Sequence, residues 1–457
     1  MKHTAEDVIT YRELTLQSLP LILTFLMMSG AAPIVSDGIT SKFSSTEEKL
    51  HLPAFALTFA VALLMYSPCF TARNVAIRTI KDRRSMARTC QVYLIIATAS
   101  ASLMYLTASW APLTTLVFKE LLGGSAESTE LARQGLLCFL PCPFLLVLRA
   151  MAQACHIINR KTWIVGVGSL MRLSAMALFV YLYAIKSDLN GPVLGGLTFV
   201  CGMFIECLTN ILFLKGAPQL KSESEAQLLS FGHTWKYVLP LVFALYLTKM
   251  MTPLTFNIMK ETAYPEESLG GYQLYHSTMW ISLSLIFSAQ PIIIKYANSK
   301  ANLKKIFIFN LYISLFITFG LAILTYTILK DLFYVDFMKV DNKIILKLLY
   351  ESLPLTLLLP LINLMTLFLN ALHTRSGHTM WITVSTTIGL IPVYCIKFID
   401  LSDQNGTLIS VICYLVFYVS SLVVQLFGLK KYGLEKCLTE NVNINKKEKR
   451  VKKDKHD

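Results

Sequence analysis

Apolar residues fill this chain in long blocks separated by short polar stretches. The blocks fall near 14–39, 53–77, 89–112, 135–157, 163–185, 191–214, 236–259, 271–294, 304–329, 346–372, 379–398 and 405–429. Each reaches the length of about 20 residues that a helix needs to cross hydrocarbon. Barrel strands would show as segments of about ten alternating residues, and no such pattern is visible. The pattern predicts an all-α, polytopic membrane protein of about twelve transmembrane helices. The mixed N-terminus MKHTAEDVITYRE does not read as a cleavable signal, so the first helix is expected to serve as its own insertion signal.

The blocks repeat. LPLILTFLMMSGAAPIVSD (19–37) lies without a gap on LPLVFALYLTKMMTPLTFN (239–257), which sets Pro20 on Pro240, Pro33 on Pro253 and Asp37 on Asn257. The LP at 140–141 matches the LP at 353–354, and ACHIINRKTW (154–163) resembles ALHTRSGHTMW (371–381). DLNG (188–191) answers DQNG (403–406). Three matches in order at nearly one offset predict two related six-helix bundles. The expected boundaries are 1–216 for the first bundle, 217–234 for a cytoplasmic linker, 235–429 for the second bundle and 430–457 for a basic cytoplasmic tail. A parallel repeat of this kind is the architecture of an alternating-access carrier. The paired prolines are expected to kink the first helix of each half, as Pro33 and Pro253 would at a gate, or to shape helix packing alone.

Composition agrees with the membrane reading: 54% of the 457 residues are hydrophobic and 15% charged, against roughly 25% charged in soluble domains. The net charge of +14 is unevenly spread. With both termini in the cytoplasm, the inner loops hold 16 Lys/Arg and three acidic residues, and the outer loops 11 Lys/Arg against 14 acidic residues. This positive-inside bias supports both termini cytoplasmic, and the lysine-rich tail and economical loops suit a plasma or bacterial inner membrane. Topology accounts for the charge, so nucleic-acid binding has no support. The lysine-rich tail reads first as a solvated tail with no specific partner, and contact with anionic membrane lipids is its functional alternative. The ten cysteines are scattered and imply neither disulfides nor a metal site.

Ionisable residues within membrane helices mark functional sites by default, because inserting them is costly. Asp37, Arg73, His156 and Lys295 lie toward helix ends. Arg149, Arg172, Glu206 and Lys249 lie about 13–22 Å inside their helices at 1.5 Å per residue. Three deep cations face one deep anion, so a Glu206 pair leaves positive charge over. Arginine cannot discard that charge by losing a proton, and the natural partner is an anionic substrate. Arg149, Arg172 and Lys249 are therefore the candidate anion contacts, with Asn257 as a polar contact and Arg73 at the cytoplasmic mouth. Asp37 and Glu206 are candidate coupling or gating acids for a proton or sodium gradient. A structural network of charges is the alternative.

No nucleotide-binding loop, H-E-x-x-H or nucleophile elbow is present, and the chain does not read as an enzyme or as a cofactor protein. The two halves, the proline-bent first helix and the NG before each last helix resemble the multidrug/oligosaccharidyl-lipid/polysaccharide transporter superfamily. Within it, FALTFAVALLMYSPCFTARNVAIRTIKDRRSMAR (55–88) and LCFLPCPFLLVLRAMAQACHIINRKTWIVG (137–166) are similar to the progressive ankylosis protein family. That resemblance implies a MATE-like fold and export of anions such as pyrophosphate, nucleotides or citrate. The alternatives are a lipid-linked oligosaccharide flippase or multidrug exporter of the same fold, and, from another class, a membrane scaffold or intramembrane enzyme.

Overall fold

The structure is a computed structural model that describes residues 9–42, 45–122, 125–186, 188–214, 231–338, 340 and 342–434. The expected linker lies largely outside the described residues, as does the basic tail from residue 435 onward. Helices account for the regular structure of the described residues, with no strand among them. Nine helices there are long and apolar enough to span a membrane, and eleven if each of two bent pairs counts as one span. The block at 379–398 forms Met380–Ile396, an apolar helix of only 17 residues. At 1.5 Å per residue it falls a little short of a hydrocarbon core about 30 Å thick.

The repeat read from the sequence has a structural counterpart in element order. Arg83–Ser109 and Lys300–Tyr326 are each 27 residues long. A π-helical turn follows each, at Thr115–Leu121 and Leu332–Phe337. A bent pair comes next: Ala126–Cys138 with Cys142–Ile158, bent by 40°, and Lys343–Thr356 with Leu359–Ser376, bent by 50°. The bends fall beside Pro141 and Pro143 in the first half and beside Pro354 and Pro360 in the second, where missing N–H groups interrupt the helical ladder.

The matched DLNG and DQNG motifs have a local cause. Asn190 accepts from the Val193 N–H at 3.0 Å and Asn405 from the Leu408 N–H at 3.1 Å, so each asparagine caps the last helix of its half. The matched histidines do equivalent work. His156 Nε2 lies 2.9 Å from the Asn210 carbonyl, and His373 Nε2 lies 3.2 Å from the Gln425 carbonyl. Each ties the helix before the histidine loop to the last helix of the half.

The described residues group into two units. One spans Leu19–Val238; the other comprises Met1–Ser18 and Leu239–Asp457. Both divisions fall one residue ahead of a repeat proline, Pro20 and Pro240, inside a helix. The opening turns of each half thus group with the other half's helices. In the second unit the Ile9 N–H donates to Asn302 at 2.9 Å, and Lys305 donates to the Ile9 carbonyl at 3.2 Å.

The prolines act differently from one another. Tyr11–Lys42 runs as one helix of 32 residues with Pro20 and Pro33 inside it. Thr24 and Ser29 hydroxyls bond carbonyls of the preceding turn in this helix. In the second half the corresponding helix is interrupted between Lys249 and Met251, next to Pro253. Pro240 packs through its carbonyl, which accepts from Thr383 at 2.6 Å. Pro20 faces Gly166, where an added Cβ would stand 3.3 Å from the proline ring. The blocks expected as single helices at 53–77 and 271–294 are each broken, at a 3₁₀ turn over Ser67–Thr71 and at a turn over residues 285–288.

Outside the membrane, Asp82 starts Arg83–Ser109 with a reciprocal cap. Its carboxylate accepts from the Ser85 N–H at 2.7 Å and its own N–H donates to Ser85 Oγ at 3.0 Å. Burial pushes the Asp82 carboxyl up, but the bonds from Ser85 and the Arg84 charge outweigh it and hold the group below the usual aspartate value. A depressed carboxyl stabilises the fold above its unfolded pKa of about 3.9 and loses that contribution as pH falls through the folded value. Asp82→Ala is expected to cost about 0.5–2 kcal/mol at neutral pH. Denaturant unfolding in detergent micelles should show the difference shrinking as pH is lowered below 4, roughly.

Candidate functional site

Three helices of the first unit bring the deep charges to one place. Cys142–Ile158 carries Arg149 and, one turn on, Gln153; Thr162–Lys186 carries Ser169 and Arg172; Gly191–Leu212 carries Glu206. Glu206 is fully buried, and Arg149 and Arg172 are 5% and 7% exposed. One carboxylate oxygen accepts from Arg149 Nη1 at 2.6 Å and from Arg172 Nη1 at 3.4 Å. The other accepts from Gln153 Nε2 at 3.0 Å and Ser169 Oγ at 3.1 Å. Four donors are the full complement that an ionised carboxylate accepts.

The close approach of the helices depends on missing side chains. A Cβ on Gly202 would press into Met176 and stand 3.2 Å from the Arg172 stem, and a Cβ on Gly168 would press into the Asn210 amide. Asn210 Nδ2 in turn donates to the Glu206 carbonyl at 2.8 Å. Aromatic surface covers part of the charge, with Arg172 lying 5.9 Å from the Phe199 ring centroid.

The cluster carries more positive than negative charge. Two arginines share one carboxylate, and the Nε of each is buried without a hydrogen-bond partner among the described residues. Arg73 adds a third cation. It sits on Ala72–Thr79, just after the turn at Ser67–Thr71, and its guanidinium lies 4.8 Å from the Phe25 ring centroid. It interacts through space with both Arg149 and Glu206. No carboxylate lies within salt-bridge distance of it among the described residues, and its Nε is buried without a partner. Formally the four side chains carry three positive charges and one negative.

The second half holds no such cluster at the matching places. Laid on the second half by the matched motifs ACH/ALH, Trp163/Trp381 and NG/NG, Arg149 falls on Thr366, Arg172 on Leu390 and Glu206 on Ser421. The local network is neutral: Gln425 Nε2 donates to Ser385 Oγ at 3.1 Å and to Ser421 Oγ at 3.4 Å.

Of the other candidates, Lys249 belongs to the second unit and lies 5.3 Å from the Trp280 ring centroid. Asn257, Pro253 and Pro33 are exposed. Asp37 falls on the first helix, with its side chain outside the described residues. Sequence reasoning missed Ser169, although it stands three residues before Arg172 on one helix face, where a donor to the same partner belongs. Among the described residues no group of three or more His, Cys, Asp or Glu could hold a metal ion.

More than nine-tenths of the chain is similar in fold to solved transporters. A MOP superfamily transporter from Pyrococcus furiosus, described as having a binding pocket of reverse polarity that suggests a different function, superposes with a TM-score of 0.70 at 12% identity, over 92% of this chain and 95% of that one. An outward-facing multidrug resistance MATE transporter of the same superfamily gives 0.64 at 13% identity, over 91% and 94%. A eukaryotic MATE transporter gives 0.65 at 12%, over 94% and 97%. The chain thus has the MATE-like fold of MOP superfamily transporters. No protein-family model and no curated protein matches the sequence, and the narrower likeness to the progressive ankylosis proteins finds no support there.

Removing the shared anion leaves two buried cations facing each other. Glu206→Gln is expected to destabilise the protein by about 3–5 kcal/mol, the cost of breaking a buried ion pair on one side. Replacing all three charges together, Arg149→Thr, Arg172→Leu and Glu206→Ser as in the second half, should restore most of that loss. Thermal unfolding of the purified variants measures both.

Proposed function

We propose that this chain is a secondary transporter that moves a small multivalent anion, of the pyrophosphate, nucleotide or citrate class, by alternating access. The observation that carries this reading is three arginines around one carboxylate within a membrane fold. Charge inside apolar surroundings is costly, and arginine keeps its proton there. Glu206 meets the requirement of Arg149 and Arg172 in part, and Arg73 leaves positive charge free for a cargo. Glu206 then serves as a fixed counter-ion that aims the two arginines. The resemblance of residues 55–88 and 137–166 to the progressive ankylosis family points to the same cargo class. The description of the Pyrococcus furiosus transporter, a reversed pocket polarity with a different function, is in keeping with a cargo of other charge.

The loop charges favour both termini cytoplasmic, and the lysine-rich tail and economical loops suit a plasma or bacterial inner membrane. Asp37 is the acid offered for proton or sodium coupling. The second reading is an exporter of cationic drugs, since a multidrug resistance MATE transporter shares the fold; a site rich in arginine weighs against it. A lipid-linked sugar, whose diphosphate would meet the same arginines, is the remaining rival.

Proteoliposomes offered labelled pyrophosphate, ATP, citrate, a cationic dye and a lipid-linked diphosphate sugar separate these readings. At least one small anion is expected to enter, and Arg73→Gln should cut its uptake tenfold or more, on the order of one good charge-assisted contact. Dye movement without anion movement would make the chain a drug exporter, and movement of the lipid alone a flippase.

A further inference from the structure

The second unit holds a different kind of cation. Lys249 is the last residue of Phe231–Lys249, directly before the interruption at Met250. Its Nζ lies 5.3 Å from the Trp280 ring centroid. His276, one turn before Trp280, stacks on that indole at 5.9 Å and 14° and on Tyr272 at 5.0 Å and 21°. Lys249 and His276 interact electrostatically. The groups around the pair are phenols and hydroxyls. Tyr272 and Tyr414 share a hydrogen bond at 3.0 Å, Thr252 reaches Tyr414 at 3.3 Å, and Ser410 donates to Tyr275 at 3.0 Å. Tyr418 and Cys413 complete the face of Gly406–Tyr432 on this side. Met380–Ile396 touches the lysine's helix through Thr383 and carries Tyr394 and Cys395, both exposed. Among the described residues, no carboxylate lies within salt-bridge distance of Lys249, and no hydrogen bond reaches the His276 ring.

The contrast with the first unit is chemical. Arg149 and Arg172 are permanent cations and are given a carboxylate. Lys249 is given none, and lysine, unlike arginine, can release its proton. Two neighbouring bases in an apolar span without an acid oppose double protonation, because each charge raises the cost of the other. The pair is suited to hold one proton or none.

We propose that Lys249, with His276 beside it, is a proton-carrying site of the transporter. The amine takes a proton from water on one side of the membrane and returns it to water on the other, forming and breaking one N–H bond. Proton movement would thus depend on a base in the second half. This inference rests on the transport reading above.

The test has two parts. The purified full-length chain is titrated by tryptophan fluorescence, in wild type, Trp280→Phe, Lys249→Met, Lys249→Gln and His276→Gln. A transition assigned to Trp280 is expected in the wild type, and it should vanish in both Lys249 variants while shifting in His276→Gln. Proteoliposomes with a trapped pH dye then report proton movement with the anion, which should fall at least tenfold in Lys249→Gln. Absence of the Trp280 transition, its survival in both Lys249 variants, or its loss in His276→Gln alone overturns the proposal. Unchanged proton movement in Lys249→Gln also overturns it. Should no anion move at all while the fluorescence transition behaves as expected, the cargo assignment fails and the proton site stands.

Discussion

One carboxylate organises the first half of this protein. Glu206 accepts four hydrogen bonds from four side chains, two on Cys142–Ile158 and two on Thr162–Lys186. Each helix on its own would carry an uncompensated polar or charged group into the membrane. Brought together they satisfy one another, and Gly168 and Gly202 leave the room that the convergence requires. Desolvating three charges is expensive, and their mutual attraction repays it only at good geometry. The helices around Glu206 are therefore held to one arrangement more strictly than apolar packing alone would hold them.

The two halves show which parts of the fold are common to both and which are particular to one. Asparagine caps, histidine ties, π-helical turns and bent pairs recur in both. These satisfy backbone groups, which every membrane helix must do. The charges do not recur. Ser385, Ser421 and Gln425 form a neutral network where the first half has arginines and a glutamate. A neutral set builds the same element order in the second half, so the charges of the first half are not required by that order itself. Their surplus of positive charge is what gives the anion reading its physical basis.

The helix that opens each half is also divided between units. Ile9 to Ser18 and Phe231 to Val238 each group with the helices of the opposite half. The first of these is pinned through the Ile9 backbone by Asn302 and Lys305. The Leu-Pro pairs that drew the two stretches together in the sequence stand at these crossings.

The spans were readable because hydrocarbon demands long apolar runs, and the repeat because paired asparagines and histidines do the same backbone work twice. Deep charges announced themselves, since a buried arginine or glutamate is too costly to be incidental. Their partnership did not. Residues 149, 172 and 206 meet only through the crossing of three helices, and a rotation of 100° between successive residues of a helix decides which side chain faces which neighbour. The breaks at 67–71 and 285–288 were hidden for a related reason, because an apolar block looks the same whether its backbone is straight or turned. The sequence by itself determined how much charge enters the membrane and in which helices. Only the tertiary structure decided that Glu206 would be divided between two arginines, that Arg73 would lie against Phe25 with no carboxylate of its own among the described residues, and that Lys249 would lie against an indole. Composition sets the energy of burying a group, while the geometry of packing sets which partner is within reach.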